Sequence, residues 1–401
     1  MLKSSAREAF ICRQCLARSS RRGYATSASG TALPPAPPPS GAANLTNRRL
    51  ISLHGIDVPK FLQGIITNNL RPDLHAGFFA AFLTAQGKVL NDVFVYPTLG
   101  SQWHAQANKT KEPGYLVEVD AAQATTLLAH LKRHKLRSKF QLRLLDQGEL
   151  NVWSTWKEAD KWTPHSSSFV DGSEPNPAEE GNGSISLVDT RAPGMGHRVL
   201  LSDESPLSSH PTLAQLEEAP LTAYTIRRYL KGVAEGQDEI PRDNAYPMNT
   251  NIDVMGGIDF KKGCYVGQEL TIRTRHTGVV RRRILPVSLY DTTDGEPTKP
   301  QYDPYSAIVT PSQDTEIKAV GKRGKPGKWV AGIGNVGIAM CRVEMMTDMV
   351  VTGEPTSFSP EDRFSIKSAT AHGEQEAGVK AFVPDWVRGK VRTPRVQKRV
   401  E

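Results

Sequence analysis

The chain has 401 residues, 38% of them hydrophobic, with 28 prolines, 33 glycines and a formal charge of +8. That length exceeds what one small core encloses and implies two or three compact units, and the composition fits a globular core diluted by polar linkers. It excludes wholesale disorder, and no apolar run approaches the roughly 20 residues that span a bilayer, so no membrane span is expected.

Residues 1–24 carry Lys3, Arg7, Arg13, Arg18, Arg21 and Arg22 against Glu8 alone, with Ser and Ala between them. This is the composition of a mitochondrial presequence, and Arg22-Gly23-Tyr24 is similar to a processing site, so the expected location is the mitochondrial matrix. Removal of those six cations and one anion would lower the formal charge from +8 to +3. The basicity is then mostly an address and not a nucleic-acid footprint. The same cut would take Cys12 and Cys15, whose CxxC spacing otherwise invites a zinc or redox reading. Of the four cysteines, Cys264 and Cys341 remain, too few for a disulfide framework or a closed zinc site. Residues 25–44 read as a Pro/Ala/Ser linker with nothing to bury, so order is expected to begin near Leu45.

From there the pattern is α+β. NRRLISLHG predicts a strand. IDVPKFLQGIITNNL predicts a helix that Asp57 can cap, with Pro59 in its first turn and Phe61, Leu62, Ile65 and Ile66 as its apolar stripe. FFAAFLT and QGKVLNDVFVYP read as two strands around a turn at Gln86-Gly87, and GYLVEV as a third. A helix follows with Ala124, Leu127, Leu128 and Leu131 on one face. Residues 154–183 read as a polar surface insertion. LTAYTIRRYLKG predicts a helix with Ile226, Tyr229 and Leu230 inward. Beyond it, VVRRRILPVSLY, KWVAGIGNVGIAMCRVE and KAFVPDW read as strands, broken by polar stretches at 291–327 and 350–377. The expected organisation is a main region at 45–285, a smaller β domain with long loops at 286–390 and a basic tail at 391–401.

GIGNVG, residues 332–337, satisfies GxGxxG, but a dinucleotide site needs a following helix to hold the pyrophosphate. IAMCRVE alternates like a strand, so a glycine-rich turn or bulge is expected. Cys341 sits in that strand and reads as core. RTRHTGVVRRR and the basic tail lack interleaved stacking aromatics, which argues against nucleic acid. The cluster at Arg281 to Arg283 reads as facing an acidic protein partner or lying on a strand edge.

The chemistry is concentrated in KGCYVGQE, residues 262–269. Gly263 and Gly267 supply backbone freedom around Cys264. If two of Lys261, Lys262, Arg273 and Arg275 lie close to it, the thiol moves toward thiolate, a nucleophile and a soft metal ligand. One thiolate cannot hold an iron–sulfur cluster alone, because such clusters ordinarily take four protein ligands.

KGCYVGQE resembles the signature of the YgfZ-like iron–sulfur assembly factors in the superfamily of the glycine-cleavage T-protein, a tetrahydrofolate-dependent aminomethyltransferase. KFLQGIITNNL, AAFLTAQGKVLNDVFVY, VDTRAPGMGHRVLL, RRYLKGVAEGQDEIP and GIGNVGIAMCRVE are similar to successive family segments, from about Leu45 to Glu344. The resemblance implies a T-protein-like folate-binding fold followed by a smaller C-terminal β-barrel. It also implies a mitochondrial factor that works with A-type scaffold proteins to mature 4Fe–4S enzymes of the aconitase-like and radical classes. Cys264 would be a cluster ligand shared with the partner or a redox thiol, in a loop shaped by Lys262, Gly263, Tyr265, Val266, Gly267, Gln268 and Glu269. The alternative it implies is a tetrahydrofolate-dependent one-carbon or aminomethyl transferase, with Asp92, Arg227, Asn251 and Asp253 lining a folate cleft. Two departures weaken that alternative. Asn91-Asp92 stands where the T-protein has two aspartates, and Leu230 stands where it has the pterin-gripping glutamate, which would orphan hydrogen bonds at roughly 1–3 kcal/mol each.

Overall fold

The computed structural model describes residues 32–70, 76–108, 110–159, 185–204, 207–210, 213–351, 356–370 and 373–391. The expected presequence, most of the polar insertion and nearly all of the basic tail lie outside the described residues.

Two five-stranded sheets and a closed barrel make up the architecture. The first sheet joins β2 (Arg48–His54), β3 (Phe78–Leu83), β4 (Val89–Pro97), β5 (Gly114–Asp120) and β6 (Gln141–Leu144) in the order β3-β4-β5-β2-β6. Its outer face is covered by α1 (Val58–Ile65) and α3 (Ala124–Lys135), whose Phe61, Leu62, Leu127 and Leu131 pack on Ile51, Val93, Val95 and Val117. Its inner face, with Phe79, Phe94, Tyr96 and Leu116, meets the second sheet. Buried on both sides, β4 carries eight buried residues in a row where a half-exposed strand would alternate. A short helix, α2 (Gln102–Ala107), follows β4.

The second sheet comprises β1 (Ser40–Asn44), β7 (Asn151–Lys157), β8 (Ile185–Val188), β9 (His197–Leu201) and β10 (Glu217–Glu218), ordered β10-β1-β7-β9-β8. Two sequence expectations are corrected here. Residues 40–44 are not linker: β1 pairs with β7 along its whole length and with β10, and Ala42 and Ala43 are fully buried. Its small side chains are what fit, since a Cβ at Gly41 would come within 2.8 Å of the Trp156 ring. Likewise residues 154–157, expected in a surface insertion, belong to β7, with Trp156 2% exposed.

Helix α4 (Leu221–Lys231) ends at Gly232 in the left-handed region, φ 73°, and packs against β1 on one side and β11, β13 and β14 of the barrel on the other. The barrel closes in the order β11-β14-β13-β12-β15-β16, from β11 (Arg282–Tyr290), β12 (Glu316–Ala319), β13 (Gly327–Ile333), β14 (Val336–Arg342), β15 (Phe364–Thr370) and β16 (Gly373–Ala381). The boundary expected at 285/286 therefore falls inside a strand. β12, β15 and most of β16 come from stretches expected to be polar loops, and KAFVPDW leaves β16 at Ala381 to end in a short helix, α7 (Asp385–Arg388). Another, α6 (Val343–Met346), follows β14. GIGNVG is a β13–β14 hairpin turn: Gly334 has φ 57°, and Gly332 and Gly337 lie under the Trp329 ring, where a Cβ would approach within 2.2 and 2.5 Å. Cys341 is fully buried in the barrel core, where burial pushes its thiol up to about 12.

Candidate functional site

Cys264 is exposed and unpaired. It lies in an irregular segment four residues before α5 (Gln268–Thr277), a helix that sequence patterning missed because its moment is weak and only Thr271 is buried. The next residue points the opposite way: Tyr265 is 6% exposed and packs in the main core. Burial pushes the Tyr265 phenol up to about 12, and its hydroxyl has no partner among the described residues.

The thiol segment is stitched to the residues after α1. Val266 N donates to Gly64 O at 3.1 Å, Asp259 N to Thr67 O at 3.1 Å, and Thr67 Oγ1 to Gly257 O at 2.6 Å. Lys262 Nζ donates to the carbonyls of Gln63, Ile66 and Asn68 at 2.8, 2.7 and 2.9 Å, and stands over the Tyr265 ring at 4.9 Å. These oxygens are at or just beyond the C-terminus of α1, where carbonyls lack intrahelical partners and a cation is favoured. Burial lowers the ammonium to about 8, with Asp259 opposing. Lys262 is thus a strut under the segment, its ammonium committed to carbonyls. Of the other expected cations, Arg273 pairs with Glu269 at 2.8 Å and Arg275 stacks on Phe260 at 4.5 Å. Lys262, Arg273 and Arg275 are thus engaged with other groups, while Lys261 is exposed.

Gln268 and Tyr265 bond reciprocally: Tyr265 N donates to Gln268 Oε1 at 3.2 Å and Gln268 N to Tyr265 O at 3.3 Å, tying the segment to the first turn of α5. Gly267, at the N-cap, has φ 81°, and a Cβ there would lie 2.2 Å from Thr84 O. Gly263 differs. It has no positive φ and nothing within 4 Å of its would-be Cβ, so the backbone freedom expected of it is not used. Gly267→Ala is accordingly expected to cost about 2–4 kcal/mol through strain and a backbone clash, and Gly263→Ala no more than about 0.5 kcal/mol. Paired thermal melts check this; equal melting temperatures would refute it.

Of the four residues expected to line a folate cleft, Asn251 and Asp253 both accept from Arg283 Nη1, at 3.1 and 2.9 Å, while Asp92 and Arg227 are bonded to other partners. Asp92 is fully buried: its Oδ1 accepts from Gly236 N at 3.1 Å and Gln237 Nε2 at 2.9 Å, and its Oδ2 meets Arg48 at 3.5 Å. Arg227 binds Glu158 and Gly194 O, both at 2.8 Å, under the Trp156 ring. Asn251, at φ 64°, donates to Ile284 O at 2.6 Å, and Asp253 holds Arg283 through two 2.9 Å bonds. The contacts of all four run to other groups of the protein itself. A cavity of about 530 Å³ lined by Trp103, Gln106, Glu149, Leu200 and His210 touches none of them.

Sequence reasoning also missed a buried ionic network between the two sheets. Glu118 accepts from Arg48 Nε at 2.7 Å, from Tyr96 OH at 2.5 Å and from Arg198. Arg198 also contacts Glu235 and Asp189; Arg191 bonds Asp189 at 2.7 Å, Glu235 at 2.8 Å and Tyr224 OH at 2.9 Å. Arg228 pairs with Glu239 at 2.8 Å beside them. Burial opposes ionisation of Glu235, but Arg198, Arg191, Arg48 and Arg228 outweigh it and hold the carboxyl well below the usual range; Asp189 is lowered by Arg191 and Arg198 in the same way. The available signal was charge inside apolar runs, in YLVEVD and VDTRAPGMGHRVLL.

Among the described residues no group of three or more His, Cys, Asp and Glu side chains is placed to hold a metal ion, and no helix is long and apolar enough to cross a membrane. The described residues form a two-sheet body and a C-terminal barrel, and among them one thiol is exposed, on a braced segment. That is the T-protein fold: the glycine cleavage system aminomethyltransferase T of Bartonella henselae superposes with a TM-score of 0.56 over 90% of this chain and 88% of that one, at 12% identity. Residues 281–389 match the family described as CAF17, C-terminal beta-barrel domain. At the sequence level the chain is 44% identical to the mitochondrial iron-sulfur cluster assembly factor IBA57 homolog of Aspergillus fumigatus, covering 94% of this chain and 89% of that protein. It is 46% identical to the homologs of Coccidioides immitis (88% and 85% covered) and Pyricularia oryzae (94% and 92%). The chain belongs to this family of mitochondrial iron–sulfur cluster assembly factors.

Proposed function

We propose that the protein supports maturation of 4Fe–4S enzymes in the mitochondrial matrix, with Cys264 completing the coordination of a cluster held jointly with an A-type scaffold protein. The observation that carries this reading is the exposed Cys264 thiol on a segment that Lys262, Gln268 and Val266 hold against the body. A single thiolate leaves most of a cluster's coordination to the partner, and a shared, incompletely enclosed cluster can leave again, as transfer requires. The cluster is cargo here, not a resident group.

The folate-transferase alternative gains nothing from Asp92, Arg227, Asn251 or Asp253, each closed off by internal bonds. In cells lacking the endogenous factor, Cys264→Ser produced at normal levels is expected to restore less than about a tenth of aconitase activity, since no other exposed cysteine occurs among the described residues. Full restoration would rule out the ligand role.

A further inference from the structure

We infer that α5 and the strand start beyond it form a docking surface for an acidic protein face that delivers an anionic, thiolate-ligated cluster to Cys264, an inference that rests on the reading of Cys264 above. Of the ten residues in α5, only Thr271 is buried. At 100° per residue Glu269, Arg273 and His276 lie opposite Thr271, and all three are exposed. This outer face covers nothing among the described residues. Cys264 precedes the helix, exposed Arg281 and Arg282 follow it, and the helix between them is about 15 Å long.

The charge along this strip is one-sided. From residue 261 to 282 the sequence holds Lys261, Lys262, Arg273, Arg275, Arg281 and Arg282 against Glu269 alone, and Glu269 is taken by Arg273. A second observation comes from the barrel. Arg282 stands directly opposite Arg342 across the β11–β14 pair, and both are exposed. Like charges in register across antiparallel strands destabilise the pair. Among the described residues none of Arg281, Arg282 and Arg342 has a carboxylate partner; the recorded contact is Arg342 Nη1 to Met345 Sδ at 3.9 Å. Among the described residues no ion pair offsets this repulsion, whereas an anionic surface arriving from outside would. Asn249 and Val279 join Arg281 and Arg282 around a shallow concavity there. A protein that brings a cluster on its own thiolates carries negative charge at the contact point, matching this strip, and the strip has no stacking aromatics in series for nucleic-acid bases.

The test follows association of the mature protein with an A-type scaffold loaded with a 2Fe–2S cluster, anaerobically, at 50 and 300 mM salt. The expected results are an association rate at least tenfold lower at high salt, and at least tenfold lower for the triple variant Arg273→Glu, Arg281→Glu, Arg282→Glu with a thermal melt no lower than that of the wild type. Cys264→Ser should keep the salt-sensitive association and lose the shared-cluster spectrum. A triple variant and a high-salt rate both within twofold of wild type at low salt overturn the docking surface, while a shared cluster in the same samples leaves the ligand role standing. Salt-sensitive association with no shared cluster in the wild type does the reverse. Tighter binding of an RNA oligonucleotide than of the scaffold at the variant-sensitive surface also overturns the proposal.

Discussion

Glu118→Ala is expected to destabilise the protein by about 3–5 kcal/mol. Arg48 and Arg198 both point at this carboxylate from fully buried positions, and Tyr96 donates its hydroxyl to the second oxygen. Removing the charge leaves two desolvated guanidinium groups to share Asp92, Asp189 and Glu235, which have other partners already. The asymmetry matters: replacing a whole buried network by apolar groups can be neutral, whereas deleting one member leaves uncompensated charge. Urea unfolding at pH 7 checks it, and a loss under 1 kcal/mol would show that water reaches the network. The same network sets the acid limb. Glu235 and Asp189 have folded pKa values below their unfolded ones, so the unfolded chain takes up protons first as pH falls. Their contribution is complete above the ordinary carboxylate range near pH 4 and is lost as pH drops through the depressed folded values.

Deleting residues 32–44 is expected to be comparably damaging, although composition alone marks this stretch as expendable. β1 lies between β10 and β7, so its loss unpairs both neighbours. Trp156 Nε1 donates to Pro38 O at 2.9 Å and its ring covers Gly41, so a 2% exposed indole is opened to water. Upstream, Tyr302 OH donates to Pro34 O at 2.7 Å and Leu33 lies against Gly334, which ties this segment to the barrel. The combined loss is on the order of 5 kcal/mol. Compared with a chain beginning at residue 32, the shortened protein should melt at least about 10 °C lower or fail to remain soluble. Equal melting temperatures would make β1 an ornament.

The contrast between β1 and α1 shows what the sequence made legible. VPKFLQGI announces itself by apolar spacing and an early proline, and its stripe packs as expected. Even so, Asp57 sits at the N-cap without capping, because its carboxylate accepts from Lys139 N at 2.6 Å. SGAAN announces nothing, since a strand needing small residues beside Trp156 looks like linker until its neighbour is known. β12 and β16 were hidden for another reason: the outer face of a small barrel is wet, so EIKA and GEQEAGVKA carry charges at the positions that would otherwise betray them. At the site, the signature singles out Cys264, whose thiol is exposed, but the supports of its segment are not legible in the sequence. Lys262 looked like a charge for the sulfur and is a brace for carbonyls, a distinction that depends on where α1 ends.

The proposed role requires the Cys264 sulfur to be reachable enough to complete another molecule's coordination sphere. Anaerobic mixing of the mature protein with a 2Fe–2S-loaded A-type scaffold, resolved by native mass spectrometry, tests it directly. The account predicts a one-to-one complex whose mass includes one cluster, absent for Cys264→Ser. A cluster that stays wholly on the scaffold, or a bridged complex that forms equally well without the Cys264 thiol, would contradict it.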